Sequence, residues 1–255
     1  MLQITSLNNK QIKQWKKLKT RKERNKQQAY LIEGYHLVEE ALNYKEEDIL
    51  NVIVREDIWL QDETQQLNLP KDKLVLVTAV IAKEISQTET NPGIFAEMKI
   101  SQTPYPTQMT KPFLLLDRVQ DPGNVGTMIR TADAADFQGV VLGEGTVDLY
   151  NLKTLRGAQG SHFHLEIYEG ELLDFIQKFK ENSYQILGTA LNEQAKSYKE
   201  IELTKPFALV MGNEGAGVSS EIIDALDENI FIPMQGHAES LNVAIAASIL
   251  MFHLN

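Results

Sequence analysis

Two rhythms of apolar positions alternate along the first hundred residues. Ile12, Trp15 and Leu18, with Lys19 beside them, recur at helical spacing, which predicts one helix over residues 10–27 with the rest of its surface basic. Behind it, "AYLIEG" reads as a short strand and "YHLVEEALNY" as a helix. "NVIVRED" and "KLVLVT" are β-branched runs of strand character, and "AVIAKEIS" is a short helix leading to "GIFAEMKI". This alternation predicts a small α/β unit of ordinary domain size. The rhythm stops in "SQTPYPTQMTKP", residues 101–112, which holds three prolines. Prolines without periodicity mark a linker. The chain therefore divides into residues 1–105, a linker at 106–112, and residues 113–255.

Past the linker the apolar runs lengthen: "FLLLDRV", "GVVLG", "HLEIY", "YQILGTAL", "FALVMG" and "NIFIPM". Runs apolar on both faces, with helical patterns between most of them, predict a mostly parallel sheet with helices on both faces. Ligands of such sheets sit outside the carboxyl ends of the strands, which directs attention to the loops there. In "QDPGNVGTMIRTADAADFQG", Pro122 and Gly123 force a turn, and Gly126 lets backbone approach a ligand. Asn124 and Arg130 then project from a loop and an early helical turn; taken alone, a helix cap with Arg130 in a structural ion pair explains them slightly better than a ligand does. In "VMGNEGAGVSSEI", Gly212, Gly215 and Gly217 can wrap a small molecule, while Asn213 and Glu214 are unusual for a simple turn. Ser219 and Ser220 are candidate caps of the next helix. The spacing is neither G-x-G-x-x-G nor that of an NTPase phosphate loop. In "IFIPMQGHAESLNVAIAASILMFHLN", a strand ends at Pro233, Gly236 lies in a loop, and Ser240 is a candidate N-cap. The last helix is apolar on nearly all sides, so it is buried or packs on another subunit.

Composition narrows the class. The 255 residues are 43% hydrophobic, enough to bury one large core or two modest ones. Cysteine is absent, so no disulfide framework or thiolate metal site exists, and a reducing cytoplasm fits. No apolar run reaches the roughly 18 residues of a membrane span, and the polar, basic first residues do not read as a secretory signal. The net charge of −10 argues against a nucleic-acid partner until its distribution is considered. Residues 1–26 carry nine Lys/Arg and one acid, a charge of +8, which leaves −18 on the remainder. Such a patch is either a footprint for phosphates or a solvated helix face.

The three loops together resemble the three sequence motifs of the SpoU (TrmH-like) family of the SPOUT class of RNA methyltransferases. Asn124, Gly126 and Arg130 match the first motif, and Gly212, Asn213, Glu214, Gly215 and Gly217 the second. Ile232, Pro233, Met234, Ser240, Leu241, Asn242, Val243 and Ala244 match the third. "LKTLRGAQGSHFHLEI" resembles the family's Arg-x-x-x-Gly stretch, and the resemblance covers residues 113–253. The N-terminal region, through "YLIEGYHLVEEAL", is similar to the ribosomal-protein-L30-like (L30e-like) substrate domain often fused to this family. Ala244 stands where many members carry Ser, and Ala238 and Glu239 occupy a variable stretch.

The resemblance implies an S-adenosylmethionine-dependent 2'-O-methyltransferase of structured RNA, a C-terminal trefoil knot and a homodimer. It implies that Gly212, Ile232, Met234, Gly236 and Leu241, with Ala190 from the loop at 188–191, line the donor pocket. It gives the acceptor side to Arg130. A guanidinium is effectively never deprotonated in proteins, so a phosphate-holding and alkoxide-stabilising role suits it better than that of a base. Asn124 and Asn242 would orient Arg130 and the ribose. Glu214 would fix Arg130 or its counterpart across the dimer, and Ser240 is either helix cap or acceptor contact. Lys16, Lys17, Arg21, Lys22 and Arg24 would grip RNA phosphates. His162, His164 and His237 lack metal-ligand spacing, so no metal is expected, and His36 reads as a surface or packing residue. Ribosomal RNA of the large subunit is favoured over transfer RNA. A catalytically silent RNA-binding or ribosome-assembly factor is the main competitor, and a dinucleotide enzyme is disfavoured by the glycine pattern.

Overall fold

Both halves of the chain build a sheet, and the sheets differ in strand direction. The structure is a computed structural model that describes residues 1–106, 108–190, 195–203 and 205–255. The chain forms two compact units, Met1–Gln102 with Tyr150–Leu155, and Thr103–Leu149 with Arg156–Asn255.

The first unit contains β1 (Leu2–Ile4), α1 (Lys10–Lys17), α2 (Arg21–Gln27), β2 (Ala29–Glu33), α3 (Tyr35–Tyr44), β3 (Ile49–Arg55), α4 (Asp62–Gln66), β4 (Leu74–Val77), α5 (Ala79–Ile85) and β5 (Ile94–Lys99). The sheet order is β1-β4-β3-β5-β2. β1, β4 and β3 pair in parallel, and β5 runs antiparallel to both β3 and β2. Ile12, Trp15 and Leu18 are buried with Ile81, Ala82 and Ile85 of α5, and the Trp15 indole donates to Glu97 Oε2 at 2.8 Å.

The single helix expected over residues 10–27 is two helices. α1 ends at Lys17, and Thr20 in extended conformation is the N-cap of α2. The break is held by Arg24, whose Nη1 donates to the Leu18 carbonyl at 2.8 Å. Lys19 leaves the apolar stripe and donates to the carbonyls of Glu84 and Ser86. Periodicity could not show the break, because the stripe at 12, 15 and 18 ends where the second helix begins.

The second unit contains β6 (Phe113–Leu116), α6 (Pro122–Ala134), β7 (Gly139–Gly143), the end of α7 (Leu152–Ala158), β8 (Glu166–Gly170), α8 (Leu172–Glu181), β9 (Gln185–Thr189), β10 (Lys196–Ser197), β11 (Phe207–Met211), α9 (Ser220–Ala225), β12 (Glu228–Phe231) and α10 (Val243–Leu254). All strand pairs are parallel in the order β10-β12-β9-β11-β6-β7-β8. Every residue of β6, β7 and β11 is buried, as strands covered on both faces require. Leu172, Ile176 and Phe179 of α8 and Ile222 of α9 pack with Phe113, Leu115 and Val210. α6 and α10 pack on each other and against strands β7 and β11. The strands β1 and β10 and the helix α4 are too short to stand out as sequence patterns.

β6 and β11 are neighbours at the middle of this sheet, with β7 and β8 beyond one and β9 and β12 beyond the other. The crevice at such a reversal is where open parallel sheets bind ligands. The loops that leave these two strands are the first two motif loops.

Candidate active site

The loop after β11 closes on itself. The backbones of Asn213 and Gly217 exchange two hydrogen bonds, at 3.0 and 2.9 Å. Asn213 Oδ1 accepts from Gly215 N and Ala216 N at 3.0 Å each, the side-chain-to-backbone turn that asparagine favours. A Cβ at Gly212 would collide with the backbone of Gly217 and Val218. Glycine there is a steric necessity of two chain segments in contact.

Three ties bind this loop to the one after β6. Asn213 Nδ2 donates to the carbonyl of Arg118 at 2.8 Å, where Arg118 has a left-handed φ of 54°. Buried Asp117 accepts from Ser219 N at 2.7 Å and from Arg118 Nε at 2.9 Å. Glu214 accepts from Gln120 N at 3.2 Å and Asp121 N at 3.0 Å. The two loops are therefore one rigid structure.

Glu214 also starts a directional chain of hydrogen bonds. It accepts from Asn124 Nδ2 at 3.1 Å, across 90 residues of sequence. Asn124 Oδ1 accepts from Asn242 Nδ2 at 3.0 Å, across 118 residues. Asn242 Oδ1 then accepts from Ala244 N and Ile245 N, at 2.9 and 3.3 Å. An ionised carboxylate can only accept, so both amides have one permitted orientation. Asp121 caps the start of α6 and Asn242 the start of α10, so two positive helix ends meet near the carboxylate. Partial burial raises the Glu214 pKa, but the hydrogen bonds from Asn124 and the backbone prevail and hold it below the usual carboxylate value.

A cavity of about 770 Å³ opens beside the loop, within the range of roughly 300–1,000 Å³ typical of ligand pockets. Ala190, Gly212, Ile232, Met234 and Leu241 line it, as do Glu214 and Ser240. Leu191, the last residue of the expected pocket loop, lies outside the described residues. Thr189 and Asn213 add uncharged polar groups, and the other walls are apolar side chains and main chain, including Val218, Ile230, Phe231 and Val243. Among the described lining residues the charged ones are Glu214 and Glu239, both acidic. A pyrophosphate calls for cations or a free helix N-terminus. This lining suits a nucleoside that carries positive charge, which is the character of S-adenosylmethionine.

Several expected residues sit elsewhere. Gly236 is not among the lining residues, and a Cβ on it would meet open space. Ser240 is not the helix cap, because α10 starts three residues later and Asn242 caps it. Gly126 is buried in α6 and faces α7, where a Cβ at Gly157 would lie 3.1 Å from Gly126 Cα. Its close approach is helix to helix. This explains both Gly126 and a glycine next to Arg156. Arg130 is exposed on α6 and is not among the lining residues of the cavity. Arg24 is 6% exposed and bonded to Leu18, so it is a structural group and not a phosphate contact. Lys16 pairs with Glu84, while Lys17, Arg21 and Lys22 are exposed. Among the described residues no group of three or more His, Asp or Glu is placed to hold a metal ion, and no helix is long and apolar enough to cross a membrane.

Asn213 stands out in the sequence as an unusual turn residue, but its role as the tie between loops needs the fold. The same holds for Phe231 and Glu239, which the cavity adds to the expected lining.

The chain matches known proteins along its whole length. The SpoU rRNA methylase family model matches residues 111–252, and the MRM3-like substrate binding domain model matches residues 9–96. The chain is 45% identical over 259 residues to the 23S rRNA (guanosine(2553)-2'-O)-methyltransferase RlmP of Bacillus subtilis, covering 100% of this chain and 99% of that protein. It is also similar to an AdoMet-bound rRNA methyltransferase from Sinorhizobium meliloti, with a TM-score of 0.84 and 31% identity over 98% of this chain and 95% of the other. A solved RNA 2'-O ribose methyltransferase matches with a TM-score of 0.80 at 30% identity, over 98% and 97% of the two chains.

Proposed function

The chain belongs to the SpoU rRNA methylase family, and from that membership we propose that it methylates a ribose 2'-hydroxyl of large-subunit ribosomal RNA, with S-adenosylmethionine as donor. The observation that carries the reading is one junction. The Gly212 loop that walls the cavity is tied through Glu214 to Asn124 and Asn242, so all three motifs converge. The relationship to a protein named for 23S rRNA supports ribosomal over transfer RNA, and a cytoplasmic place of action goes with that substrate.

When bound, S-adenosylmethionine supplies a sulfonium methyl that the ribose oxygen can attack, leaving S-adenosylhomocysteine. The chain's part is positioning. The Gly212 loop and the walls from Ile232, Met234 and Leu241 hold the donor in a slot with little freedom. Asn124 and Asn242 have no spare orientation, so whatever they touch meets a fixed dipole. Glu214 already accepts from four donors and has a depressed pKa, which suits it to holding the loops and makes it a poor base. Arg130 offers five donors and no acceptor. It holds a phosphate and stabilises the developing alkoxide, and the hydroxyl proton leaves to solvent.

Arg130 performs this role in a second copy of the chain. Ile245 and Phe252 of α10 are 52% and 62% exposed, and α10 packs beside the helix that carries Arg130. An apolar helix face next to an exposed arginine fits an isologous dimer in which each chain lends Arg130 to its partner's cavity. Lys17, Arg21 and Lys22 of the first unit bind RNA through phosphates.

Calorimetry with S-adenosylmethionine, together with mapping of 2'-O-methyl sites in total RNA with and without the gene, tests the reading. Donor binding and loss of one large-subunit site are expected. Intact RNA binding with no donor binding at millimolar concentration would instead identify a silent assembly factor. Mixing Arg130→Ala chains with chains disabled in the cavity should restore activity if the arginine acts across the dimer. No restoration returns Arg130 to its own subunit.

A further inference from the structure

We infer that Glu239 is a charge-selective element of the donor cavity, which makes the site prefer the cationic donor over its neutral thioether product. The inference rests on the proposed function for the identity of the ligand and goes beyond it in assigning a residue outside the family motifs.

The cavity holds two carboxylates and, among its described lining residues, no cation. They are not equivalent. Glu214 is engaged by Gln120 N, Asp121 N and Asn124 Nδ2, so its charge is largely met by neighbouring dipoles. Glu239 lies on the exposed loop between β12 and α10 and contributes to the wall. No hydrogen bond or ion pair ties its carboxylate to another described residue, so its charge is not met within the chain and acts on a ligand in the cavity it lines. Hydration and salt weaken that field, and the apolar walls weaken it less than bulk water would.

The chemistry of the two ligands supplies the selectivity. S-adenosylmethionine carries a sulfonium, an ammonium and a carboxylate, one net positive charge. S-adenosylhomocysteine lacks the sulfonium and has no net charge. Their adenosyl and amino-acid parts are the same, so contacts to those parts bind both equally. A free carboxylate on the wall acts on those shared charges in both ligands alike, and its attraction for the sulfonium is felt by the donor alone. Product release is then helped by the reaction itself, because methyl transfer removes the charge that Glu239 attracts.

The test is isothermal titration calorimetry of the full-length protein with S-adenosylmethionine and with S-adenosylhomocysteine, at low and at high salt. Wild-type protein is compared with Glu239→Gln, which keeps the shape, and with Glu239→Lys. Glu239→Gln should weaken donor binding by roughly three- to tenfold and product binding by less than about twofold. Glu239→Lys should widen the gap, and about 0.5 M salt should close it. Thermal melts should stay unchanged, since no bond within the chain is removed. Equal weakening of both ligands would mean that Glu239 contacts a shared part, and no change in either would mean that its field does not reach the site; both overturn the inference. Wild-type protein that binds neither ligand would overturn the proposed function instead.

Discussion

The two units carry their polar residues in opposite ways. In the first, the conspicuous polar groups are many, like-charged and on the surface, with Lys17, Arg21 and Lys22 all exposed. In the second, they are few and mostly uncharged, and they bond to one another in a fixed direction from Glu214 through Asn124 to Asn242. A set of surface cations works by summed field, so each member is replaceable. A hydrogen-bond chain works by orientation, so no member is. Composition reveals the first kind of function and is nearly blind to the second.

Substitutions should separate the two kinds, starting from the rigid end. Gly212→Ala places a Cβ against the Gly217 and Val218 backbone. It should cost about 3 kcal/mol of stability, at the upper end of overpacking, and remove donor binding. Thermal melts and calorimetry read both, and a variant that melts and binds like the wild type would show that the loop is softer than its bonding implies. Asn124→Asp is smaller in volume change and almost as severe. It sets two carboxylates face to face and removes the only donor in the side chain, for about 2 kcal/mol. Its melting temperature should recover partly in acid; a pH-independent deficit would show that the amide's direction is not what matters.

Charge placed inside the second unit should be tolerated poorly as well. Burial pushes the His162 pKa down to about 3, with His164 adding repulsion. The unfolded chain takes up a proton near the ordinary value of 6.5, which the folded chain refuses until far lower pH. Stability from this group is therefore complete above pH of about 6.5 and falls as pH drops toward about 3, by at most about 1.4 kcal/mol per unit. Unfolding free energies against pH for wild type and His162→Asn check this, with a flatter slope expected for the variant. Equal slopes would mean that His162 does not set the acid sensitivity.

The smallest single effects belong to the surface cations. Lys17→Gln should weaken RNA binding by only a fewfold. Neutralising Lys17, Arg21 and Lys22 together should flatten the salt dependence by up to about 0.9 for each phosphate no longer neutralised. Arg24→Gln is the control that sharpens the contrast. It should lower stability by about 1–2 kcal/mol by removing the bond to Leu18, while the salt slope stays as in the wild type. A changed slope for Arg24→Gln would place that guanidinium on the RNA after all.

Legibility followed the same divide. The longer strands of the second unit were readable because burial on both faces leaves uninterrupted apolar runs, as in "FALVM". The glycine-rich loop was readable because few residues other than glycine permit backbone to meet backbone. The helix break at Leu18–Thr20 was not, because the bond that stabilises it comes from Arg24, which composition counts as a surface charge. Ser240 was a reasonable cap by residue type, and Asn242 displaced it because its side chain also had to answer Asn124. Gly126 was legible as a close approach, but its partner is Gly157, and a local reading cannot tell a helix from a ligand.

Local pattern by itself determined the longer elements, the family motifs and the split between a basic segment and an acidic body, since each depends on neighbours in sequence and on side-chain type. Only tertiary structure decided that Glu214, Asn124 and Asn242 form one chain and that Glu239 reaches the cavity. The physical reason is that a hydrogen bond or a shared wall is a relation between positions, here 90 and 118 residues apart. Parallel strands bring such positions to one edge, and no single stretch of the chain contains both partners.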